Sequence, residues 1–310
     1  MRAVRNTDAG IETIDVPDPG GDGVRVRVRS SGICGSDLHM IDWGPMPVTL
    51  GHEIGGHLDD GTPVAIWPLV PCGTCDRCIA GEVSQCRTGP AQVYGIGRDG
   101  GMADEVVVDP GCIVPLPAGL DITDAALVEP LACAVHSLRR AGVRAGDRVA
   151  VVGAGSIGLG AAAAARWTDC SVDVTARHEH QRNAATRIGA GAEAEGEYDV
   201  VVDAAGTETA VAQCVDLVRP GGTVALLASY WEPVTFPQFF SMKEPVFVGA
   251  NMHGRDASGT DMDAAAQLLA DRPEVAPAMI THRFPLDRAA EAFTAAADRA
   301  AGAIKVVLEP

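Results

Sequence analysis

The chain has 310 residues, of which 47% are hydrophobic and 21% charged, as in folded globular proteins with room for two domains. The net charge of −17 argues against nucleic acid or anionic membranes as partners, because both would be repelled. The apolar stretch from Val149 to Ala165 is rich in glycine and alanine and is shorter than the ~20 strongly apolar residues of a membrane span. Because the N-terminus also lacks a secretory signal pattern, we expect a cytosolic protein.

The first part of the chain is predicted to be β-rich. "VRVRVRSSG" alternates from Val24 to Arg29, which indicates a half-exposed strand. Short apolar runs follow between Gly, Pro and Asp residues: "TPVAIWPLVP", "ADEVVVDPG" and "CIVPLP". From Asp121, "DITDAALVEPLACAVHSLRRAG" begins with N-cap residues and continues with helical spacing.

From Asp147 the pattern alternates between strand and helix, in the order "RVAVVGAG", "SIGLGAAAAARW", "SVDVTA", "QRNAATRIGA", "YDVVVDAAG", "TAVAQCVDLVRPGG" and "TVALLAS". This α/β rhythm predicts a parallel sheet with helices on both faces. "PLDRAAEAFTAAAD" predicts a further helix, and "AIKVVLEP" predicts a closing strand. We therefore expect a β-rich domain over residues 1–122, a nucleotide domain over 123–270 and a C-terminal segment over 271–310 that returns to the first domain.

Four cysteines follow the spacing C-x2-C-x2-C-x7-C, at positions Cys72, Cys75, Cys78 and Cys86. Disulfides are disfavoured in a cytosolic protein. The bacterial iron–sulfur pattern has three residues before its last cysteine and a proline after it, whereas this chain has seven residues and then Arg87. Four thiolates instead suit a closed, tetrahedral zinc site, which we predict to be structural. The isolated cysteines at 112, 133, 170 and 214 are expected to be small buried residues.

A second group of residues has the composition of an open metal site. Cys34 lies in "GICGSDLH", and His52 and Glu53 lie in "LGHEIGG". A catalytic zinc takes three protein ligands of mixed type and leaves one position open. Taken singly, Cys34 also fits a small buried residue, and the Gly-His-Glu tripeptide fits a turn. Glu129 in "VEPLA" is a further oxygen ligand or a partner of the bound water.

"VAVVGAGSIGLG" joins an apolar strand to a G-x-G-x-x-G fingerprint made by Gly153, Gly155 and Gly158. In this pattern the first glycine permits a tight turn, the second lets the backbone approach a pyrophosphate and the third allows close helix–strand packing. The pyrophosphate would lie at the N-terminus of the helix that begins with Ser156 and Ile157. The context therefore predicts a dinucleotide site.

The end of the next strand bears on the choice between NAD and NADP. An NAD enzyme usually has an acidic residue here to bind the ribose 2′-hydroxyl, but the chain has Ala176, followed by Arg177 and His178, with Arg182 a turn later. A guanidinium binds a 2′-phosphate well, so the sequence favours NADP over NAD. The alternative is a solvated strand end at Arg177, and Glu179 keeps NAD open.

Together, and in this order, these motifs resemble the zinc-dependent medium-chain dehydrogenases, the alcohol and polyol dehydrogenase superfamily. "GHE" followed by "EPLA" is similar to the sorbitol, threonine and glucose dehydrogenase branch, whereas classical alcohol dehydrogenases have cysteine where this chain has Glu129. The resemblance implies a GroES-like β-rich catalytic domain and a Rossmann domain. It also implies two zinc ions per chain and pairing into homodimers or homotetramers.

The resemblance further implies Cys34, His52 and Glu53 as ligands of the catalytic zinc, with Glu129 as a fourth or exchanging ligand. Ser36 matches the residue that takes the substrate hydroxyl proton, and His39 matches the residue that passes it outward by way of the cofactor ribose. The segment between "GHE" and "PCGTC" is shorter than is usual in the family. A more open active site is the expected consequence.

The leading hypothesis is therefore an enzyme that reversibly oxidises a small secondary alcohol of the polyol, sugar or cyclitol type to a ketone. In reverse, the same residues would make an NADPH-dependent carbonyl reductase. A non-enzymatic NADPH-binding zinc protein is the alternative from another class, and it would predict that the catalytic ligands are lost. The aromatic residues that either line a substrate pocket or pack in the core are Trp43, Trp231, Phe239 and Phe240.

Overall fold

The structure is a computed structural model that describes residues 1–256 and 259–310. Its strands, in chain order, are β1 Arg2–Thr7, β2 Gly10–Asp15, β3 Val24–Ile33, β4 Glu53–His57, β5 Pro63–Ile66, β6 Glu105–Val108, β7 Ile113–Pro115, β8 Arg148–Val152, β9 Ser171–Thr175, β10 Tyr198–Asp203, β11 Val218–Leu226, β12 Val246–Gly249, β13 Arg255–Asp256, β14 Gly259–Thr260, β15 Ile280–Pro285 and β16 Lys305–Glu309. Its α-helices are α1 Gly35–Met40, α2 Asp76–Ile79, α3 Val128–Arg140, α4 Ser156–Trp167, α5 Glu179–Arg187, α6 Glu208–Leu217, α7 Asp261–Asp271, α8 Val275–Met279 and α9 Ala289–Ala297.

The described residues form two compact units. Unit 1 consists of Met1–Glu129, Gly254–Asp271 and Ile280–Pro310, and unit 2 consists of Pro130–His253 and Arg272–Met279. The domain boundaries expected from the sequence, after residues 122 and 270, stay a prediction.

Unit 1 is built around a sheet with the strand order β15-β16-β3-β4-β5-β7, in which β6 also pairs with β3. The predicted alternation of β3 is confirmed, because Val26 and Val28 are buried while Arg27 and Arg29 are exposed. The C-terminal strand β16 runs antiparallel to β3 in the same sheet. Residues from opposite ends of the chain therefore meet around the end of β3.

Unit 2 contains a parallel sheet with the strand order β12-β11-β10-β8-β9. This is the doubly wound order 3-2-1-4-5-6 without its third strand. Where that strand would lie, the described residues 188–197 contribute one parallel bridge, between Asp173 and Gly191. The fold expected from the sequence, a GroES-like β-rich part and a Rossmann sheet, is confirmed.

Small side chains allow α4 to lie close to this sheet. Residues Ala161–Ala165 are at most 2% exposed, and an alanine adds only one methyl group to the helix surface. The alanine-rich stretch is thus a buried helix of unit 2. Among the described residues, no helix combines the length and the hydropathy needed to cross a bilayer.

The aromatic residues singled out in the sequence are mostly at the surface. Trp43 is 70% exposed and Phe239 is 67% exposed, so core packing is the wrong interpretation for these two. Phe240 packs against Phe236 and Phe247, with ring centroids 4.9 and 6.1 Å away. Phe239 itself has a positive φ of 64°, in the turn that directly precedes Phe240.

Candidate active site

Asp37 holds two of the candidate zinc ligands. Cys34 is the N-cap residue of α1, and its N–H donates to a carboxylate oxygen of the fully buried Asp37 over 2.9 Å. The other Asp37 oxygen lies 3.4 Å from Nδ1 of His52. This is an ion-pair contact without hydrogen-bond geometry, and a carboxylate on the Nδ1 side of the ring leaves Nε2 to bind a metal. Asp37, which the sequence analysis missed, therefore fixes the backbone at Cys34 and lies against the imidazole of His52.

The donor atoms of Cys34, His52 and Glu53 lie within 4.8 Å of one another. A thiolate, an imidazole and a carboxylate are ligands that zinc accepts in open sites. Burial opposes a charge on His52, but the negative charges of Asp37 and Cys34 outweigh burial and raise the pKa of His52 well above its ordinary value. The same charges favour a bound cation, so these residues fit a zinc ion.

Lys305 forms a buried ion pair with Glu53. Its Nζ lies 2.6 Å from both carboxylate oxygens and donates to the carbonyl oxygen of Ile33 over 3.1 Å. Burial alone would lower the pKa of Lys305, but the charges of Glu53 and then Cys34 outweigh it and raise that pKa. The sequence analysis missed this residue. A signal was present, because a lysine directly before the apolar residues of "KVVLEP" is an unusual position for a charged side chain.

Gly32 makes room for the Glu53 carboxylate. The two residues are register partners on β3 and β4, and a Cβ atom on Gly32 would overlap with Oε2 of Glu53.

Glu129 lies in the first turn of α3 and is 6% exposed. Its charge also raises the pKa of Lys305. Among the described residues, Glu129 is outside the group of three that share the 4.8 Å cluster. Its role as a zinc ligand stays a prediction.

The two residues predicted to relay the proton lie on α1. Oγ of Ser36 is 3.3 Å from Nε2 of His52. His39 follows Ser36 by three positions, which brings it to the same face of the helix. Ser36 therefore borders the metal-binding nitrogen, and His39 is the next titratable group along this face.

The four cysteines of the 72–86 lobe converge as the spacing predicts. The Sγ atoms of Cys72, Cys75, Cys78 and Cys86 lie within 4.8 Å of one another, and all four cysteines are free. Backbone N–H groups approach the sulfurs, such as Cys72 N to Cys86 Sγ at 3.3 Å. This N–H and the Thr88 side chain lower the pKa of Cys86 to about 6. Such a thiolate set fits a closed zinc site.

Each glycine of the fingerprint has the geometry that its predicted role requires. Gly153 has a φ of 102° in the turn after β8. A Cβ atom on Gly158 would overlap with the carbonyl oxygen of Gly153, whereas Gly155 faces open space. Among the described residues, Oγ of Ser156 is buried without a hydrogen-bond partner. Ile157 follows it in the first turn of α4. The open surface and the orphaned hydroxyl fit a bound pyrophosphate.

Basic groups lie at the carboxyl end of β9, where Ala176 replaces an acidic residue. Arg177 is exposed, and Nη1 of Arg182 donates to the carbonyl oxygens of Ala176 and Arg177 over 3.0 and 3.4 Å. His178 is the N-cap residue of α5 and stacks on His180, with ring centroids 5.4 Å apart. Arg182 thus stiffens this turn, while Arg177 stays accessible.

The fold and these sites are those of a zinc-dependent dehydrogenase that uses a nicotinamide cofactor. Residues 20–118 match the alcohol dehydrogenase GroES-like domain family, and residues 172–308 match the zinc-binding dehydrogenase family. The chain is 34% identical to L-galactonate-5-dehydrogenase of Escherichia coli K12, over 90% of this chain and 89% of the relative. It is 30% identical to sorbitol dehydrogenase of Halalkalibacterium halodurans, over 100% of this chain and 99% of the relative.

Among solved structures, a putative zinc-binding dehydrogenase from Sinorhizobium meliloti 1021, bound to NADP, superposes with a TM-score of 0.86. The two chains are 31% identical, and the match covers 100% of this chain and 99% of the other. The chain belongs to the zinc-dependent medium-chain dehydrogenase/reductase superfamily, in its sorbitol dehydrogenase-like branch. It is an oxidoreductase that transfers hydride between a secondary alcohol and a nicotinamide cofactor.

Proposed function

We propose that the enzyme oxidises a polyol or a sugar-derived secondary alcohol to a ketone at the open metal site of unit 1. The convergence of donor atoms from Cys34, His52 and Glu53 carries this proposal. Two relatives named for a sugar acid and a polyol, L-galactonate and sorbitol, support the substrate class. Working in the other direction, the same residues would serve the reduction of the ketone.

The side chains around the site have separable roles in this proposal. Zinc bound there would supply a Lewis acid that lowers the pKa of the substrate hydroxyl. Oγ of Ser36, beside Nε2 of His52, accepts the proton of the substrate hydroxyl as it releases its own, and His39, on the same face of α1, takes up the released proton. Asp37 and Lys305 hold His52 and Glu53 in place. Glu129 is the proposed fourth or exchanging ligand.

An activity assay with the zinc-loaded enzyme tests the proposal. Reduction of NAD and of NADP is followed in parallel with hexitols, sugar acids, cyclitols and simple secondary alcohols. Turnover restricted to polyhydroxylated substrates supports the proposal, whereas turnover restricted to simple alcohols contradicts it. Cys34→Ser should abolish turnover. Cys170→Ser is the matched control, because a serine hydroxyl can replace the Cys170 thiol as donor to the Arg144 carbonyl.

Two zinc ions per chain are part of the same proposal. The four-cysteine lobe and the Cys34 site would hold one ion each. Metal analysis of the purified enzyme should find two, and Cys34→Ser should retain only the ion of the lobe. Two ions in Cys34→Ser would contradict the assignment of Cys34 as a ligand.

We further propose that NADP is preferred over NAD. Ala176 carries no carboxylate that would repel a 2′-phosphate, and the exposed Arg177 supplies a guanidinium for it. The NADP bound in the Sinorhizobium meliloti relative supports this choice. Arg177→Ala should raise the KM for NADP by about 10- to 150-fold and leave the KM for NAD nearly unchanged, since a hydrogen bond to a charged group contributes about 1.5–3 kcal/mol. Ala176→Asp should reverse the preference. An equal effect on both nucleotides would contradict the proposal.

A homodimer or homotetramer is the proposed assembly, with neither nucleic acid nor a membrane as partner. Exposed apolar side chains support it: Met242 is 80% exposed and Val246, on the edge strand β12, is 53% exposed. Val246→Lys should shift the mass measured by light scattering towards the monomer. The cytosolic location predicted from the sequence stays a prediction.

A further inference from the structure

Tyr230 and Asp203 form a hydrogen-bonded pair between two connecting loops of unit 2. Asp203 is the last residue of β10 and is fully buried, and Tyr230 lies in the loop that follows β11. The Tyr230 hydroxyl donates to Oδ2 of Asp203 over 2.6 Å. Burial, and then the bond to Asp203, raises the pKa of Tyr230, so the hydroxyl keeps its proton throughout the physiological range.

The rest of Asp203 fixes the backbone on both sides. Its Oδ1 accepts hydrogen bonds from the N–H groups of Ala205 and Gly206 over 2.9 and 3.0 Å. Its carbonyl oxygen accepts from Leu227 and Ala228, each over 3.0 Å. Asp203 therefore ties the loop after β10 to the loop after β11. The Tyr230 hydroxyl donates to Oδ2, the carboxylate oxygen that accepts none of these backbone hydrogen bonds.

This pair is connected to the fingerprint turn by direct packing. A Cβ atom on Gly153 would lie 3.0 Å from Cβ of Ala205, and one on Gly206 would lie 2.7 Å from the Ser229 carbonyl oxygen. The loops after β8, β10 and β11 thus contact one another in a row. In open α/β sheets, ligands bind at the carboxyl ends of the strands. These three loops therefore lie where a nucleotide would bind.

We propose that Tyr230 is a positioning residue for the nicotinamide nucleotide, acting through Asp203 on the loops that the nucleotide contacts. The inference depends on nucleotide binding at the fingerprint, which is part of the enzyme's family function, and not on the proposed preference for NADP. Without the hydroxyl, Oδ2 of Asp203 is left buried without its donor. The Asp203–Gly206 turn then relaxes, and the nucleotide binds a less ordered surface.

Tyr230→Phe tests the proposal in the zinc-loaded enzyme, with whichever nucleotide the wild type reduces faster. We expect the KM and the Kd for the nucleotide to rise about tenfold, the consequence of a buried acceptor without its donor. At saturating nucleotide, kcat and the KM for the alcohol should stay within about twofold of the wild type, because the metal site is untouched.

Tyr198→Phe is the matched control, because it removes the same kind of bond at the opposite end of the same strand. The Tyr198 hydroxyl donates to Oδ2 of Asp173 over 2.9 Å, and Tyr198 begins β10 where Asp203 ends it. Tyr198→Phe should lower stability without changing the nucleotide KM. An unchanged nucleotide KM in Tyr230→Phe, or an equal rise in both variants, overturns the proposal.

Asp203→Asn supplies a second measurement. Its amide oxygen still accepts from Ala205 and Gly206, and its NH₂ group donates to the Tyr230 oxygen. We expect this variant to bind the nucleotide more tightly than Tyr230→Phe, and the reverse order contradicts the proposal. If the wild type itself bound no nucleotide, the family function and not the role of Tyr230 would be at fault.

Discussion

Gly32 has no side chain, and the Glu53 carboxylate occupies the space beside it. Substitution of this single residue therefore tests whether the position of the carboxylate matters for activity. The methyl group of Gly32→Ala would overlap with Oε2 of Glu53, so the carboxylate must leave the position that it holds beside Cys34 and His52. Displacement of a reacting group by about 1 Å can cost about 10²-fold in rate. We therefore expect kcat/KM for the alcohol to fall about 100-fold.

Gly35→Ala is the control for this substitution. A Cβ atom on Gly35 would meet only Nη2 of Arg299, at 3.9 Å, although Gly35 directly follows Cys34 in the chain. This variant should keep activity within a few-fold of the wild type. Full activity in Gly32→Ala would show that the position of the Glu53 carboxylate does not matter for catalysis.

Because Lys305 and Glu53 form a buried ion pair, we expect the loss of either charge alone to lower the stability of the folded enzyme strongly. Removing one partner of a buried pair costs about 3–5 kcal/mol, because the other charge stays buried alone. Lys305→Met should therefore lower the free energy of unfolding by about that amount. In the Glu53→Gln background the same substitution should cost much less, since no charge is left unpaired.

Urea unfolding of the four proteins measures this coupling. A chelator is present in all samples, so that differences in zinc affinity do not enter the free energies. Equal costs of Lys305→Met in both backgrounds would mean that the two charges are not coupled.

The sequence predicted those residues of the candidate site that stand in short local motifs. It did not predict the residues that tertiary structure brings to the site from distant parts of the chain. Cys34, His52 and Glu53 stand in short stretches with the residue types that zinc requires. Lys305 reaches Glu53 only because β16 pairs with β3, and sequence spacing carries no trace of that pairing. Asp37 lies within the quoted stretch "GICGSDLH", but its two contacts depend on the turn that begins α1.

At the scale of elements, the 72–86 lobe depends on its cysteines more than on secondary structure. Its only α-helix in the described structure is the short α2, and its surface is held by ion pairs such as Arg87 with Asp76. Exposed pairs of this kind contribute little to stability. The bound metal is therefore expected to supply most of the order of this lobe.

Removal of one cysteine tests this dependence. Cys75→Ser should lose one zinc ion and open the lobe, so that trypsin cleaves after Arg77 and Arg87 in the otherwise folded enzyme. Cys170→Ser, a substitution outside the lobe, should resist cleavage like the wild type. Equal resistance in Cys75→Ser would contradict a structural role of the metal.

Most of the elements followed from periodicity, although "VRPGG", which was expected at the end of a helix, begins β11 instead. The alternation of strand and helix predicted the parallel sheet of unit 2, and the structure contains it. Between α5 and β10, "GAGAEAEGE" has no apolar run that could form a buried strand. The sheet accordingly lacks its third strand there, and β9 lies at the edge. The sheet nevertheless contains the strands that precede the loops of the nucleotide site.

At the scale of the whole molecule, the net charge of −17 predicts how stability responds to salt. Like charges on the folded surface repel one another, and unfolding relieves part of that repulsion because it separates them. Raising the ionic strength from about 0.01 M to about 0.15 M shortens the Debye length from about 30 Å to about 8 Å. Screening on this scale should stabilise the folded state and raise Tm, by about 2–4 °C for each kcal/mol of added stability.

Thermal unfolding in NaCl and in KCl at matched ionic strengths measures this response. Screening depends on ionic strength and not on which alkali cation is present, so both salts should raise Tm equally. A rise with one salt alone would indicate specific ion binding instead. A fall in Tm with both salts would mean that attractive pairs, such as those of Arg283 with Asp124 and Glu309, outweigh the repulsion between the excess carboxylates, since salt weakens attraction and repulsion alike.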